Sequence, residues 1–309
     1  MRLATLGEIR HSLVYREIID CMRDALIAHS RGECKTPMPM HLDIAAGCAE
    51  VHMKSSYRQG GPYFALKIAG TFPGNTARGL STSSGMMLLS SAETGEPVAF
   101  LADSGHLTDV RTSAVAAMTA RELGRADSTL GILGTGVQAR LQAAMHAEVL
   151  PLRRIVLWGR NSERAAECRR DVASLLPGVE ITVVRTPGEA ARESRLLVTA
   201  TPSREPLLFA RDLQAGTHIS AVGADSPHKQ ELDPGILHRA ALLLADSLRQ
   251  CEKLGELQYA PAEWSRVLEM GAFCEHPPAW DRSGITVCDF TGLGVEDLYI
   301  AEYCLRSLR

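Results

Sequence analysis

Apolar and polar residues follow two different patterns along the 309-residue chain. Between residues 50 and 102 the apolar runs are short and separated by turn signals, which predicts an antiparallel sheet. From Thr129 onward, short apolar runs alternate with segments of helical periodicity, which predicts a parallel sheet covered by helices on both faces. The strands predicted in the first region are Val51 to Tyr57, Tyr63 to Ala69, Gly85 to Leu89 and Val98 to Leu101.

Three further segments have the apolar spacing of helices. Residues 12–30 predict an opening amphipathic helix with Ser12 as its N-cap. The alanine-rich segment from Leu107 to Leu123 predicts a helix that leads from the first pattern into the second. After a last strand from Ile285 to Phe290, residues Val295 to Leu305 predict a closing helix. The chain is therefore expected to have an α/β fold.

A glycine-rich turn follows the strand that begins at Thr129. Gly134, Gly136 and Ala139 fit the dinucleotide fingerprint, in which small residues allow a tight turn and close approach of the backbone to a diphosphate. The helix that follows would offer free N–H groups to the phosphates. A turn of this kind can also merely join a strand to a helix. The predicted cofactor contacts are Gly134, Thr135, Gly136, Val137 and Gln138.

The end of the next predicted strand carries Arg160 and no carboxylate before Glu163. An acidic residue at this place would hold the ribose hydroxyls of NAD, whereas an arginine can pair bidentately with the 2′-phosphate of NADP. The alternative is an exposed arginine near a helix start. We expect a nicotinamide dinucleotide, with NADP(H) favoured.

Four charged residues lie in segments that are otherwise apolar or small. Lys54 and Lys67 stand on predicted strands and must either reach water or meet an anion, so each is an edge-strand lysine or an anion-binding one. Arg111 is either an exposed charge on a helix or a guanidinium that binds a carboxylate bidentately. Asp225 follows a parallel strand at its carboxyl end, where such sheets bind ligands, although a turn aspartate is equally common there.

Composition and charge exclude several function classes. A net charge of -3 and a pI near 6.4 argue against a nucleic-acid partner, and no apolar run is long enough for a membrane span. Without a signal-peptide core, we expect a cytoplasmic protein whose eight scattered cysteines are reduced and mostly buried. No metal site is expected, because the ten histidines are dispersed and neither His106 nor His218 has a second ligand at i+2 or i+4.

Six stretches together make a highly specific pattern that resembles the ornithine cyclodeaminase/mu-crystallin family over nearly the whole chain. They are Ala65-Leu66-Lys67 with Phe72-Pro73-Gly74-Asn75, Gly79-Leu80-Ser81-Thr82-Ser83-Ser84-Gly85, Leu107-Thr108-Asp109-Val110-Arg111-Thr112, Gly134-Thr135-Gly136-Val137-Gln138-Ala139, Ala221-Val222-Gly223-Ala224-Asp225 and Gly292-Leu293-Gly294-Val295-Glu296-Asp297.

The resemblance implies a Rossmann-type dinucleotide-binding domain inserted in a discontinuous α+β domain that binds substrate and forms a homodimer. Residues 1–112 and 292–309 would form the discontinuous domain, and residues 113–291 the inserted one. Lys67 and Arg111 would bind the substrate carboxylate, with Lys67 also catalytic, while Thr82 and Thr112 would help to hold the cofactor. A partly buried Asp225 would exchange a proton with the amine or imine nitrogen.

One departure from the family pattern bears on the reaction. Many members carry an arginine about two dozen residues before the lysine, where this chain reads Thr36-Pro37-Met38-Pro39-Met40-His41-Leu42. Lys54 and Arg58 are candidates to replace that carboxylate clamp. The stretches Lys54-Ser55, Ser83-Ser84-Gly85 and Asp289-Phe290-Thr291-Gly292 are more similar to the branch linked to ectoine breakdown and imino-acid reduction.

The resemblance leaves three functions open. The first is an NAD(P)H-dependent imine reductase that converts a small α-imino acid, such as Δ1-pyrroline-2-carboxylate or iminosuccinate, to the L-amino acid. The second is an ornithine cyclodeaminase that forms L-proline and ammonia with recycled NAD. The third is a mu-crystallin-like protein that only binds NADPH and a small ligand. Arg160 and the missing arginine favour the first.

Overall fold

A computed structural model describes residues 1–45 and 49–308 of the chain. The chain divides into two compact units, Met1–Arg111 with Leu293–Arg309 and Thr112–Gly292. The predicted domain changes lie after residues 112 and 291. The assignment of substrate binding and dimerisation to the first unit stays a prediction.

The elements up to residue 122 form a strand-rich half followed by one long helix, α3, which continues from the first unit into the second. In chain order they are β1 (Arg2–Thr5), α1 (Leu6–Ser12), α2 (Tyr15–Ser30), β2 (Cys34–Lys35), β3 (Met40–Ala45), β4 (Ala49–Arg58), β5 (Tyr63–Thr71), a 3-10 helix (Pro73–Arg78), β6 (Ser83–Ser91), β7 (Pro97–Ala102) and α3 (His106–Glu122).

The remaining elements alternate between strands and helices. They are β8 (Thr129–Leu133), α4 (Val137–Ala147), β9 (Arg154–Trp158), α5 (Ser162–Leu175), β10 (Glu180–Val183), α6 (Pro187–Glu193), β11 (Leu196–Thr199), β12 (Arg204–Leu208), β13 (His218–Ala221), β14 (Gln230–Leu232), α7 (Pro234–Arg239), β15 (Ala240–Ala245), α8 (Leu248–Leu254), β16 (Val267–Glu269), α9 (Met270–Glu275), β17 (Ile285–Asp289) and α10 (Gly294–Ser307), with 3-10 helices at Ala210–Asp212, Glu256–Tyr259 and Pro261–Arg266.

The first unit contains a seven-stranded sheet of order β1-β7-β6-β5-β4-β2, with β3 also paired to β4. All its ladders are antiparallel except that of β1 with β7. This confirms the antiparallel region predicted from residues 50–102, and each of the four predicted strands is present. The strands β1, β2 and β3 were not predicted. Helix α10 returns to this unit and packs on α2, β4 and β5.

The prediction that Ser12 caps the opening helix is wrong. Helix α1 already begins at Leu6, because the Thr5 hydroxyl accepts a hydrogen bond from the Glu8 N–H and the Glu8 carboxylate accepts one from the Thr5 N–H. Ser12 ends α1, and its hydroxyl donates to the Ile9 carbonyl at 2.8 Å. The chain then turns once more before α2, whose N-cap is Val14 without a side-chain cap.

The second unit contains an eight-stranded parallel sheet of order β10-β9-β8-β11-β13-β17-β15-β16. Successive strands β8, β9 and β10 run outward on one side, and β11, β13 and β17 run outward on the other. This is the order of the dinucleotide-binding α/β fold, and it confirms the predicted parallel sheet. The strand order reverses between β8 and β11, which makes the glycine turn after β8 the topological switch point.

Neither a helix that could span a membrane nor a disulfide occurs in the described ranges. None of the helices in residues 1–45 and 49–308 is long and apolar enough to cross a bilayer. The seven described cysteines are free; five are buried and two are half-buried. Cys48, the eighth cysteine considered in the sequence, lies outside the described residues.

Candidate active site

A buried network of four charged side chains lies in the first unit. The Lys67 ammonium of β5 is 2.7 Å from Oδ2 of Asp297, and Nε of Arg111 is 3.1 Å from Oδ1 of the same carboxylate. The second arm of the Arg111 guanidinium is 2.9 Å from Oε2 of Glu296. All four residues are at most 4% exposed. Lys67 is therefore neither an edge-strand lysine nor a solvent-reaching one, and Arg111 is not an exposed helix charge.

The two acids come from the first turn of α10, where negative charge is favoured by the unpaired N–H groups of the helix start. Glu296 also accepts a hydrogen bond from the Leu293 N–H at 3.3 Å. Gly294 lets this helix start approach β4, because a Cβ at residue 294 would lie 2.6 Å from the Ser55 carbonyl oxygen. The Gly-Leu-Gly motif before Val295 thus positions two carboxylates beneath the sheet.

Lys54 adds a third cation to the same face of the sheet, since it is the direct register partner of Lys67 across β4 and β5. Burial lowers the pKa of Lys67 to about 7; the Asp297 carboxylate counteracts this shift, and the charges of Arg111 and Lys54 add to it. For Asp297, burial alone would raise the pKa, but Lys67, Arg111 and Lys54 together lower it. The site thus pairs a firmly ionised carboxylate with a lysine that titrates near neutral pH.

Arg58, the other candidate for the missing carboxylate clamp, is not part of this network. Its guanidinium lies over the ring of Tyr299, 5.5 Å from the centroid. It is four residues beyond Lys54 on β4, which corresponds to roughly 13 Å along an extended strand. Of the two proposed replacements, the structure brings only Lys54 next to Lys67.

Asp103 borders the network and was not identified from the sequence. Its carboxylate accepts a hydrogen bond from the Leu107 N–H at 2.8 Å, which caps the start of α3, the helix that carries Arg111. Burial raises the pKa of Asp103, against hydrogen bonds from backbone N–H groups and the charge of Lys67. The available sequence signal was an aspartate three residues before the start of α3 at His106.

The glycine turn after β8 has the geometry that a diphosphate requires. Gly134 adopts φ +134°, and a Cβ there would lie 2.5 Å from the Ala200 carbonyl oxygen, so only glycine fits. Gly136 is the N-cap of α4 without a side-chain cap, and no atom of the residues that the structure describes lies within 4 Å of a Cβ at this position. The free N–H groups of the eleven-residue helix α4 are therefore accessible to an anion. These residues fit a dinucleotide phosphate.

Arg140 holds the shape of this turn and was not predicted. Its guanidinium donates to the carbonyl oxygens of Thr135 at 2.8 Å and Gly136 at 3.1 Å, and it pairs with Asp171 at 2.6 Å. The i+4 spacing from Gly136 was the available signal. Gln138 is also held, because its side-chain oxygen accepts a hydrogen bond from the Ser113 hydroxyl at 3.1 Å.

The other predicted cofactor contacts differ in exposure. Val137 is 55% exposed at the first position of α4, which is unusual for valine. Arg160 is exposed just after β9 and makes no hydrogen bond or ion pair with the described part of the chain. Thr82 is exposed, and its carbonyl accepts a hydrogen bond from the Phe72 N–H. Thr112 is half-buried in α3, as the first residue of the second unit.

Asp225 follows β13 as predicted, but the expectation that it is partly shielded by burial is wrong. Its side chain is 49% exposed, and Oδ1 lies 2.5 Å from the Lys229 ammonium. The chain turns back after Asp225, so the residue four positions later supplies the partner. Such a return within a loop has no periodic signal in the sequence.

The base of this loop is fixed by a buried carboxyl. Glu231 accepts hydrogen bonds from the N–H groups of Thr201 at 2.7 Å and Gly223 at 3.1 Å, which joins the loops that follow β11 and β13. Burial raises the pKa of Glu231 to about 7, although these hydrogen bonds lower it. Gly223 is required beside it, because a Cβ would lie 2.3 Å from the Glu231 carboxylate.

The chain is similar throughout to solved structures of imine reductases. The Δ1-pyrroline-2-carboxylate reductase of Thermococcus litoralis, in complex with NADH and L-proline, is 25% identical and superimposes with a TM-score of 0.91 over 99% of this chain and 97% of that one. The iminosuccinate reductase of Paracoccus denitrificans, in complex with NAD+, is 26% identical with a TM-score of 0.89 over 99% and 96%.

A relative of higher identity carries a different activity in its name. An uncharacterised cyclodeaminase of Sinorhizobium fredii is 37% identical over 317 residues, which cover 99% of this chain and 95% of the relative. The model of the ornithine cyclodeaminase/mu-crystallin family matches residues 2–308. The resemblance inferred from the six motifs is therefore confirmed: the chain belongs to the ornithine cyclodeaminase/mu-crystallin family.

Proposed function

We propose that the protein is an NAD(P)H-dependent reductase that converts a small α-imino acid to the L-amino acid. The observation that carries the proposal is the buried network in which Lys67 and Arg111 are held by Asp297. Two fixed cations, one on the strand β5 and one on the helix α3, would form a binding site for a carboxylate. The similarity to two imine reductases supports this reaction class.

The bound nicotinamide would supply the hydride, and the side chains of this protein would bind, orient and protonate the substrate. Lys67 and Arg111 would hold the α-carboxylate, which fixes the adjacent imine carbon. Lys54, the register partner of Lys67, adds a third cation beside it, which would favour the binding of a substrate carboxylate.

Asp225 would provide the proton that the imine nitrogen gains. Reduction of C=N adds a hydride to carbon and a proton to nitrogen, and the imine accepts the hydride more readily once it is protonated. The Lys229 ammonium at 2.5 Å orients the carboxyl group in this structure. Lys229 is thus proposed as a positioning residue for Asp225.

The cofactor is proposed to bind at the glycine turn, with Gly134, Thr135, Gly136, Val137 and Gln138 around its diphosphate. Arg160 would pair with the 2′-phosphate of NADP(H), which its exposure and its lack of a partner among the described residues permit. The two similar reductases contain NADH and NAD+, so the preference for NADP(H) rests on Arg160 alone.

The protein is also proposed to pair with a second copy through the sheet face opposite Lys67. By the strand register, Leu3, Met40, Leu42, Leu66 and Met86 share this face, and each is at least 36% exposed. Exposed apolar side chains grouped on one face are a common feature of protein interfaces. Sedimentation equilibrium of the purified protein tests this: a monomer at micromolar concentration would contradict it.

The reaction itself can be tested by a paired assay. We expect oxidation of reduced cofactor with Δ1-pyrroline-2-carboxylate or iminosuccinate, and no ammonia from L-ornithine with catalytic NAD+. Asp225→Asn should lower kcat by about 10²- to 10⁴-fold, as loss of a general acid does, and leave cofactor affinity within a few-fold.

The matched control is Glu193→Gln, which also removes an exposed carboxylate 2.5 Å from a cation. It should retain full activity. Ammonia and proline from ornithine without net cofactor consumption would identify a cyclodeaminase instead. Cofactor binding without turnover of any of these substrates would favour the binding-protein alternative.

Carboxylate binding should depend on the protonation of Lys67. Because the pKa of Lys67 is lowered to about 7, its ammonium form is lost as the pH rises through 7, and affinity for an anion falls with it. We expect the Kd of pyrrole-2-carboxylate, which cannot be reduced, to rise about tenfold per pH unit above 7, as measured by calorimetry. In Lys67→Arg the rise of Kd with pH should disappear. The control variant Lys54→Arg should retain it. A Kd that is constant from pH 6 to 9 in the parent would contradict the proposed role of Lys67.

Two glycines of the turn should respond differently to substitution. Gly136→Ala should cost only about 1 kcal/mol of unfolding free energy, because its Cβ meets no atom and alanine is merely a poorer N-cap. The same Cβ would occupy the space of the diphosphate, so NAD(P)H affinity should fall at least tenfold by fluorescence titration. Gly134→Ala should instead destabilise the fold by about 2 kcal/mol or more in urea denaturation, since its φ is accessible only to glycine. If Gly136→Ala had the same cofactor affinity as the parent, the glycine turn would not be the binding site of the cofactor.

Arg160→Ala separates the two cofactors. We expect the substitution to lower the affinity for NADPH at least tenfold and the affinity for NADH less than twofold, because only NADPH carries the 2′-phosphate. Arg169→Ala removes another exposed arginine, in α5, and should leave both affinities unchanged. Equal weakening of both cofactors by Arg160→Ala would show that Arg160 does not bind the phosphate.

A further inference from the structure

The hairpin of β3 and β4 brings two histidines and two carboxylates onto one face. In its antiparallel register, His41 lies directly opposite His52, and Asp43 lies opposite Glu50. Residues two apart on a strand point to the same side, so each strand contributes one imidazole and one carboxylate to that face. No periodicity within a single segment reveals this group, because its members come from opposite strands.

Three of these side chains converge closely. One ligand atom from each of His41, Glu50 and His52 lies within 4.8 Å of the others. The two imidazole rings meet edge to face with centroids 4.6 Å apart. Each imidazole Nε2 approaches a carboxylate of its own strand, that of His41 at 3.1 Å from Asp43 and that of His52 at 3.7 Å from Glu50.

We propose that His41, Glu50 and His52 bind a divalent zinc ion. Two imidazoles and one carboxylate are a ligand set that zinc uses, and donor atoms within 4.8 Å of one another would reach bonds of about 2.0–2.2 Å after small side-chain movements. The carboxylates of Glu50 and Asp43 supply two negative charges for the dication. The fourth position would be filled by water or, after a side-chain rotation, by Asp43, whose Oδ1 lies 3.1 Å from Nε2 of His41.

The ion would fasten β3 to the sheet. Among the described residues, β3 pairs only with β4, so cross-strand ligation would add a constraint to an edge strand. The site is distinct from the Lys67 network, although it shares a sheet face with it: Lys54 follows His52 by two residues on β4. The proposal does not depend on the reductase activity.

The test uses the full-length protein without a histidine tag, freed of metal with EDTA and dialysed against micromolar Zn2+. We expect one zinc per chain by mass spectrometry of the metal, and a rise in Tm that is reversed by EDTA, because a ligand that binds only the folded state stabilises it. Co2+ in place of zinc should give the visible absorption of a four-coordinate site.

His52→Ala, His41→Ala and Glu50→Gln should each lower the affinity for zinc. Loss of an outer-sphere partner lowers metal affinity roughly 10- to 100-fold, and loss of a direct ligand should lower it at least as much. The control is His238→Ala, which removes a histidine whose Nδ1 lies 2.8 Å from the Glu263 carboxylate outside this group, and should retain the zinc. The proposal is overturned if the parent retains no zinc, or if His52→Ala and His238→Ala retain it equally.

Discussion

The carboxylate of Asp297 is the point on which the first unit's charged interior depends. Two cations contact its two oxygens, and burying charges of this kind is tolerated only when each has a partner. Removal of one partner from a buried ion pair costs about 3–5 kcal/mol, since it leaves the other charge uncompensated. Lys67, Arg111 and the start of α10 must therefore be retained together.

This dependence explains why the last helix of the chain matters to strands near its beginning. Gly294 allows the start of α10 to lie against the Ser55 carbonyl, and that contact places Glu296 and Asp297. A Cβ at residue 294 would lie 2.6 Å from the Ser55 carbonyl oxygen, which is closer than van der Waals contact allows, so the start of the helix would have to move away from β4. The Gly-Leu-Gly motif is thus tied to the charge network rather than to a turn alone.

The fold followed from the sequence because its signals are local. The short strands between residues 50 and 102, the alternation after Thr129 and the glycine turn each depend on spacing within one segment, and the structure contains all three. The capping error at Ser12 is also local: Thr5 and Glu8 formed a stronger start signal seven residues earlier. Family membership followed from the joint order of the motifs.

The site could be predicted only in part, because its contacts join distant segments. Lys67 and Arg111 were identified as candidates, but neither spacing nor composition indicated that residues 296 and 297 would neutralise them. Arg58 and Lys54 looked equivalent in sequence, and strand register separates them. The family resemblance implied a partly buried Asp225, yet its side chain is 49% exposed and pairs with Lys229, four residues further along the same loop.

The proposed binding of the substrate carboxylate and the proposed proton transfer therefore depend on different structural features. The proposed carboxylate site is buried, and burial lowers the pKa of its lysine to about 7, so substrate affinity would be set by the low-dielectric surroundings of Lys67. Asp225 is exposed, but its loop is anchored by Glu231 through the N–H groups of Thr201 and Gly223. A proton donor on an anchored loop keeps its position without being buried, and an exposed carboxyl can exchange protons with water between turnovers. The proposed role of Lys67 thus depends on its burial, whereas the proposed role of Asp225 depends on the anchoring of its loop.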